Sequence, residues 1–147
     1  MSKEKRYVVV DTWVLAKAYE NPSTEGEAYE MFKANEVLSK IFHKGHKVVL
    51  DDEDQILGEW RRHMRGSVVS WFKWMQSLEG KIVWRSKGKG FEKINKDDRK
   101  FVKVAAASPH RILITGDTDF IEEVNGDNEA KNHKIRVWDL DKALKML

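Results

Sequence analysis

Ile112-Leu113-Ile114-Thr115-Gly116-Asp117-Thr118-Asp119-Phe120 reads as a short apolar run that stops on a hydroxyl, a glycine and two acids. An unbroken β-branched and aliphatic run of this kind suits a strand buried on both faces of a parallel sheet. Tyr7-Val8-Val9-Val10 has the same character and also ends on an acid, Asp11. Lys47-Val48-Val49-Leu50 and Ile135-Arg136-Val137-Trp138 read as two further strands, and Ile82-Val83-Trp84 as a brief extended piece.

Helical patterns fill the intervals. Asp11-Thr12 opens a helix through Tyr19 that Asn21-Pro22 stops. Thr24-x-x-Glu27 reads as a capping box for a long helix ending at Gly45, with Ala28, Met31, Phe32, Leu38, Ile41 and Phe42 facing inward. The acids Asp51 to Asp54 favour a helix N-terminus, with Ile56, Leu57, Trp60 and Met64 as its apolar stripe. Ser67 to Glu79 predicts the next helix, which turns Val68, Trp71, Phe72, Met75 and Leu78 inward and closes at Gly80. Arg85-Ser86-Lys87-Gly88-Lys89-Gly90 is a glycine-rich basic loop. A helix from Asp97-Asp98 runs to Ser108-Pro109, a polar loop spans Asn125 to His133, and Asp139 caps a last helix carrying Leu140, Leu144 and Leu147. Strands alternating with helices predict an α/β fold with a mainly parallel sheet, in a single domain over residues 1–147.

Composition bounds the chemistry. The chain has 147 residues, enough for one ordinary core without disulfide or structural metal. With no cysteine, thiolate zinc sites, iron–sulfur clusters and cysteine nucleophiles are excluded, so a metal would sit on carboxylates or histidine. The basic start is followed by an apolar run too short for a secretory core, and no run approaches membrane-spanning length, so a cytoplasmic protein with no membrane partner is expected. A net charge of +3 permits a polyanionic partner without requiring one.

In open parallel sheets, ligands gather at the carboxyl ends of the strands where strand order reverses. If the strands ending at Asp11 and at Asp117 and Asp119 are neighbours, those carboxylates share one small volume. Asp98, in the first turn of the helix before the third strong strand, and Glu59, after the second, could join them. Glu59 shares a helix face with Asp52 and Gln55. Each acid also has a plainer use: Asp11 and Asp98 as helix caps, Asp117 or Asp119 in a turn, Glu59 as a solvated residue among Asp51 to Asp54. Clustered carboxylates repel and call for a cation, and oxygen-only ligation suits Mg²⁺ or Mn²⁺. Such ions can activate water for phosphodiester hydrolysis.

Three stretches, in order, resemble the PIN-domain ribonucleases: Val8-Val9-Val10-Asp11-Thr12, Asp98-x-x-Phe101-Val102-x-x-Ala105-Ala106, and the strand-Thr-x-Asp-x-Asp-Phe run at 112–120. The resemblance implies a three-layer α/β/α fold with a short, mainly parallel sheet of 4–5 strands and an acidic pocket holding Mg²⁺ or Mn²⁺. It also implies metal-dependent endonucleolytic cleavage of single-stranded RNA. Asp11, Glu59, Asp98 and Asp117 then match the catalytic acids, with Asp11, Asp98, Asp117 and the accessory Asp119 as metal ligands. Asp97 is an alternative to Asp98, and one of Asp51 to Asp54 an alternative to Glu59. Thr115 is placed to orient a water at the site. Members of the family include toxins of toxin–antitoxin pairs and RNA-processing nucleases, so an antitoxin protein and a homodimer are further expected partners.

Arg61, Arg62, Arg85, Lys87 and Lys89 are candidates for phosphate contacts. Six tryptophans are many for this length, and Trp74 lies off its helix's inward stripe, where it suits base stacking or, better, a dimer interface. The five histidines show no metal spacing. Two other readings compete. A haloacid-dehalogenase-like phosphatase fits Gly116-Asp117-x-Asp119, but Asp11-Thr12-Trp13 lacks that chemistry's second aspartate. The other is a catalytically degenerate module that binds RNA or protein.

Overall fold

The computed structural model describes residues 4–147. In chain order the elements are β1 (Tyr7–Val10), α1 (Thr12–Ala18), α2 (Glu25–His43), β2 (Lys47–Asp51), α3 (Gln55–His63), α4 (Ser67–Ser77) and β3 (Ile82–Arg85). They continue with α5 (Arg99–Ala107), β4 (Ile112–Ile114), α6 (Thr118–Asn125), α7 (Asn128–Asn132), β5 (Arg136–Trp138) and α8 (Leu140–Met146).

The five apolar runs form one sheet in the order β3-β2-β1-β4-β5, and all four pairings are parallel. Helices flank it in an α/β/α arrangement, because a parallel sheet needs both apolar faces covered. Val8, Val9, Val10 and Ile112, Leu113, Ile114 are fully buried, as their uninterrupted apolar runs require. The chain moves outward from β1 to β2 and β3, then returns to the other side of β1 as β4 and β5. The order therefore reverses between β1 and β4, where Val10 lies in register with Ile114. The carboxyl ends of these two strands carry Asp11 and Thr115-Gly116-Asp117.

Local signals act as the sequence predicts in most helices. Thr24 caps α2 by accepting from the Glu27 N–H, although the Glu27 carboxylate reaches back to Ser23 rather than to Thr24. Gly45 takes positive φ (80°) just past α2, the left-handed conformation that ends a helix cheaply only at glycine. Helix α4 instead ends at Ser77, short of the expected Glu79, because Leu78 is already extended (φ −104°, ψ 123°), and Gly80 (φ 80°) belongs to the turn beyond. Asp139 accepts from the Lys142 N–H and caps α8.

Three expectations are corrected. Phe32 and Leu78 are 62% and 44% exposed, not inward. Phe32 lies in α2 outside its buried stripe of Ala34, Val37, Leu38 and Ile41, and Leu78 follows the last residue of α4, where the backbone has left the helix. The polar loop expected over 125–133 contains α7, capped by Asp127 and anchored by buried Ala130. No helix among the described residues is long and apolar enough to cross a membrane.

Candidate active site

The Asp11 N–H donates to the Ile114 carbonyl (3.0 Å), extending the β1–β4 ladder by one bond beyond the strand. That bond fixes the Asp11 carboxylate at the reversal point with only 6% of the residue exposed. Thr115, fully buried at the end of β4, donates its hydroxyl to Asp11 Oδ2 (2.7 Å) and accepts from the Asp117 N–H (3.1 Å). One hydroxyl thus ties the two acidic strand ends together. Burial pushes the Asp11 carboxyl up to about 7; the Thr115 bond opposes that rise, while the charges of Asp98 and Glu59 add to it.

Glu59 reaches the same place from α3. One carboxylate oxygen accepts from the Thr12 hydroxyl, and the other pairs with Lys100 Nζ at 2.9 Å. The helix is held in position by Asp51, whose two oxygens accept from the Gln55 N–H (2.9 Å) and the Ile56 N–H (2.8 Å). Burial alone would raise the Asp51 carboxyl. The two N–H bonds and the nearby Lys87 ammonium outweigh it and hold the group below the ordinary value. Asp51 therefore works as a helix anchor, and Asp52 bonds Ser86 at the surface (2.6 Å). Glu59, not the 51–54 acids, is the α3 carboxylate whose charge acts on Asp11.

Asp98 stands at the N-cap of α5, half-buried, and its carboxyl is pushed up to about 6. Burial contributes most, followed by the negative charges of Glu123 and Asp117; Lys100 opposes the rise and Glu59 adds to it. Asp97 is exposed and is not among these coupled acids. Asp117 caps α6, accepting from the Asp119 N–H (3.1 Å) and the Phe120 N–H (3.4 Å). Its structural and electrostatic roles coincide in one side chain.

Beside the acids lies an open groove of about 650 Å³, whose cations include Arg62, Lys87, Lys96, Arg99, Lys100 and Lys103. Among the described residues Arg62, Lys96 and Lys103 have no ion-pair partner. Lys100 belongs to both features, lining the groove and neutralising Glu59. An acidic centre at the mouth of a cationic groove suits a substrate with a phosphate backbone. Family models, curated proteins and solved structures give no match to this chain.

The donor set is all oxygen, and burial, with repulsion between the acids adding to it, raises two of its carboxyls, so a hard divalent cation fits its chemistry. Among the described residues no three His, Asp or Glu side chains form a ready-made metal group. Each acid has its own protein partner: Thr12 and Lys100 engage Glu59, Thr115 engages Asp11, and the α6 backbone engages Asp117.

Of the residues singled out in the sequence, Asp11, Glu59, Asp98, Asp117 and Thr115 are brought together. Asp119 is exposed in the first turn of α6 and is linked to the cluster only through its N–H to Asp117. Lys87 lines the groove, but its ammonium is tied to Asp51 (3.3 Å) and Glu53 (3.4 Å) and so braces the basic loop. Arg61, Arg85 and Lys89 are exposed and line no part of the groove. The sequence reading missed Lys96, Lys100 and Lys103, whose signal was their position just around the start of the Asp98 helix. It also missed Glu123, on α6, whose charge acts on Asp98.

Proposed function

We propose that this chain is a metal-dependent endoribonuclease of PIN-like type, acting on single-stranded RNA. The observation that carries the reading is the gathering of Asp11, Glu59, Asp98 and Asp117 from four different elements at the strand-order reversal: Asp11 feels the charges of Asp98 and Glu59, Asp98 feels those of Asp117 and Glu59, and the Thr115 hydroxyl joins Asp11 to the Asp117 backbone. Asp11, Asp98 and Asp117, with Glu59 alongside, are the residues that would hold Mg²⁺ or Mn²⁺. Such an ion supplies Lewis-acid stabilisation of the charge that develops during phosphodiester hydrolysis.

The protein's own groups do the rest. Arg62, Lys96 and Lys103 attract and align the phosphate backbone along the groove. Thr115 ties the Asp11 carboxylate to the backbone of Asp117. Lys100 compensates Glu59 until substrate or cation arrives, and its ammonium is then within the groove to contact a phosphate. Cleavage of an end-labelled single-stranded RNA with Mn²⁺ or Mg²⁺ tests the reading, with EDTA and an Asp11→Asn/Asp117→Asn double variant as controls. Cleavage abolished by both controls is expected. Near-wild-type cleavage by an Asp117→Asn protein contradicts it.

A further inference from the structure

The residue after Asp11-Thr12 is a tryptophan, and the structure gives it an unusual seat. A Cβ built on Gly116 would lie 2.1 Å from the Trp13 ring, so the indole rests directly on the backbone between Thr115 and Asp117. Gly116 does not have a positive φ, so the constraint there is the close approach of the ring rather than backbone conformation. Trp13 is only partly buried, and Lys17 Nζ lies 5.2 Å from its ring centroid.

The indole forms one wall of a cavity of about 190 Å³, shared with Gly116, Thr118, Ile121, Leu140 and Asp139. This cavity and the cationic groove share no lining residue, and each adjoins neighbours of the acids. The groove includes Lys100, which pairs with Glu59; the cavity includes Trp13 and Thr118, the chain neighbours of Thr12 and Asp117. A strand laid along the groove and over the carboxylates would run on toward this cavity. Besides its aromatic wall the cavity has two aliphatic side chains, the Thr118 hydroxyl and three carboxylates, Glu30, Asp139 and Asp141, with Lys33 paired to Asp141 (2.8 Å); the carboxylates can accept from the N–H groups of a base. It is large enough for one planar base and too small for a whole nucleotide.

We propose that this cavity is a nucleobase subsite, in which Trp13 stacks on the base of a nucleotide flanking the phosphate held at the acids. The proposal deepens the nuclease reading and rests on it for the direction of the strand. Aromatic stacking of a single-stranded base contributes roughly tenfold or more in affinity and tolerates different bases.

The test is equilibrium binding of a short fluorescent single-stranded RNA to the full chain in EDTA, where no metal-dependent cleavage intervenes. The probe is compared with copies carrying one abasic nucleotide at each position in turn. Wild-type protein is expected to lose about tenfold in affinity at one abasic position. Trp13→Leu is expected to bind intact RNA about as weakly and to lose that positional discrimination, and Trp13→Phe to keep most of both. The wild-type abasic series needs no variant, so misfolding of Trp13→Leu leaves the proposal open to refutation. Equal binding across the series, unchanged discrimination in Trp13→Leu, or no RNA binding at all overturns it. Cleavage with Mn²⁺, measured separately, distinguishes the two claims. Position-dependent binding without cleavage removes the nuclease reading and keeps the subsite, and cleavage indifferent to abasic sites does the reverse.

Discussion

Lys100 Nζ lies 2.9 Å from Glu59 Oε1, and the same ammonium lowers the charge burden on Asp98. Among the described residues Lys100 is thus the cation paired within this partly buried carboxylate cluster, and it also lines the cationic groove. Removing that cation leaves the acids uncompensated, at a cost of about 1–3 kcal/mol. Lys100→Met is expected to melt several degrees below wild type in EDTA. Mn²⁺ is expected to recover more of that loss than it adds to wild type. Equal Mn²⁺-induced shifts in the two proteins would show that Lys100 and a divalent cation do not share the same carboxylates.

The raised Asp11 and Asp98 carboxyls make a pH prediction with a definite sign. Their folded values, about 7 and about 6, lie above the ordinary 3.8, so between those limits the native state holds protons that the unfolded chain has released. Stability from this source is present at low pH and is lost as pH rises through 6 and 7. In metal-free buffer, Asp11→Asn is therefore expected to gain stability relative to wild type between pH 5 and pH 8, with the difference widest near the top. Melting curves at several pH values check it. A difference that is flat across that range would place Asp11 in a far better solvated setting.

Asp51 gives the contrasting case. It caps α3 and braces Lys87, so Asp51→Ala should cost about 1–2 kcal/mol of stability. Specific activity per folded molecule should change little, whereas Asp98→Asn should abolish cleavage with a small effect on stability. A denaturation series run alongside cleavage assays separates the two. An Asp51 variant that is stable yet inactive would make that residue, not Glu59, the acid from the second strand's side.

The cations of the groove should act through the phosphate backbone. Lys96→Gln and Lys103→Gln are each expected to weaken RNA binding across sequences and to lower the slope of log affinity against log salt by about one. Arg61→Gln and Lys89→Gln, outside the groove, should leave that slope unchanged. Titrations at three or more salt concentrations suffice, and equal slopes for all four proteins would move the RNA path elsewhere.

Much of this arrangement was legible in the residues. The strands were visible because a parallel sheet demands continuous apolar runs, as Val8 to Val10 and Ile112 to Ile114 show. Asp11, Asp98 and Asp117 were visible because each stands at an element boundary, where side chains of one sheet end converge. Glu59 was separable from Asp51 to Asp54 only in space, since a charged helix start gives no sign of which carboxylate turns inward. The glycine-rich basic loop from Arg85 to Lys89 is a conspicuous pattern, and of its three cations Lys87 lines the groove. Lys96, Lys100 and Lys103 lie among other polar residues, and their convergence depends on how α5 packs beside α3. Trp13 looked like one tryptophan among six until the close approach to Gly116 set it apart.

The central claim is that the coupled carboxylates form a metal-dependent phosphodiesterase centre. The most direct measurement is Mn²⁺-supported cleavage of single-stranded RNA by wild-type protein and by the folded Asp11→Asn/Asp117→Asn variant, each with and without EDTA. The account predicts cleavage by wild type alone, and only in the absence of chelator. Cleavage that survives EDTA or the double substitution, or a folded wild-type protein that cleaves no single-stranded RNA, would contradict it.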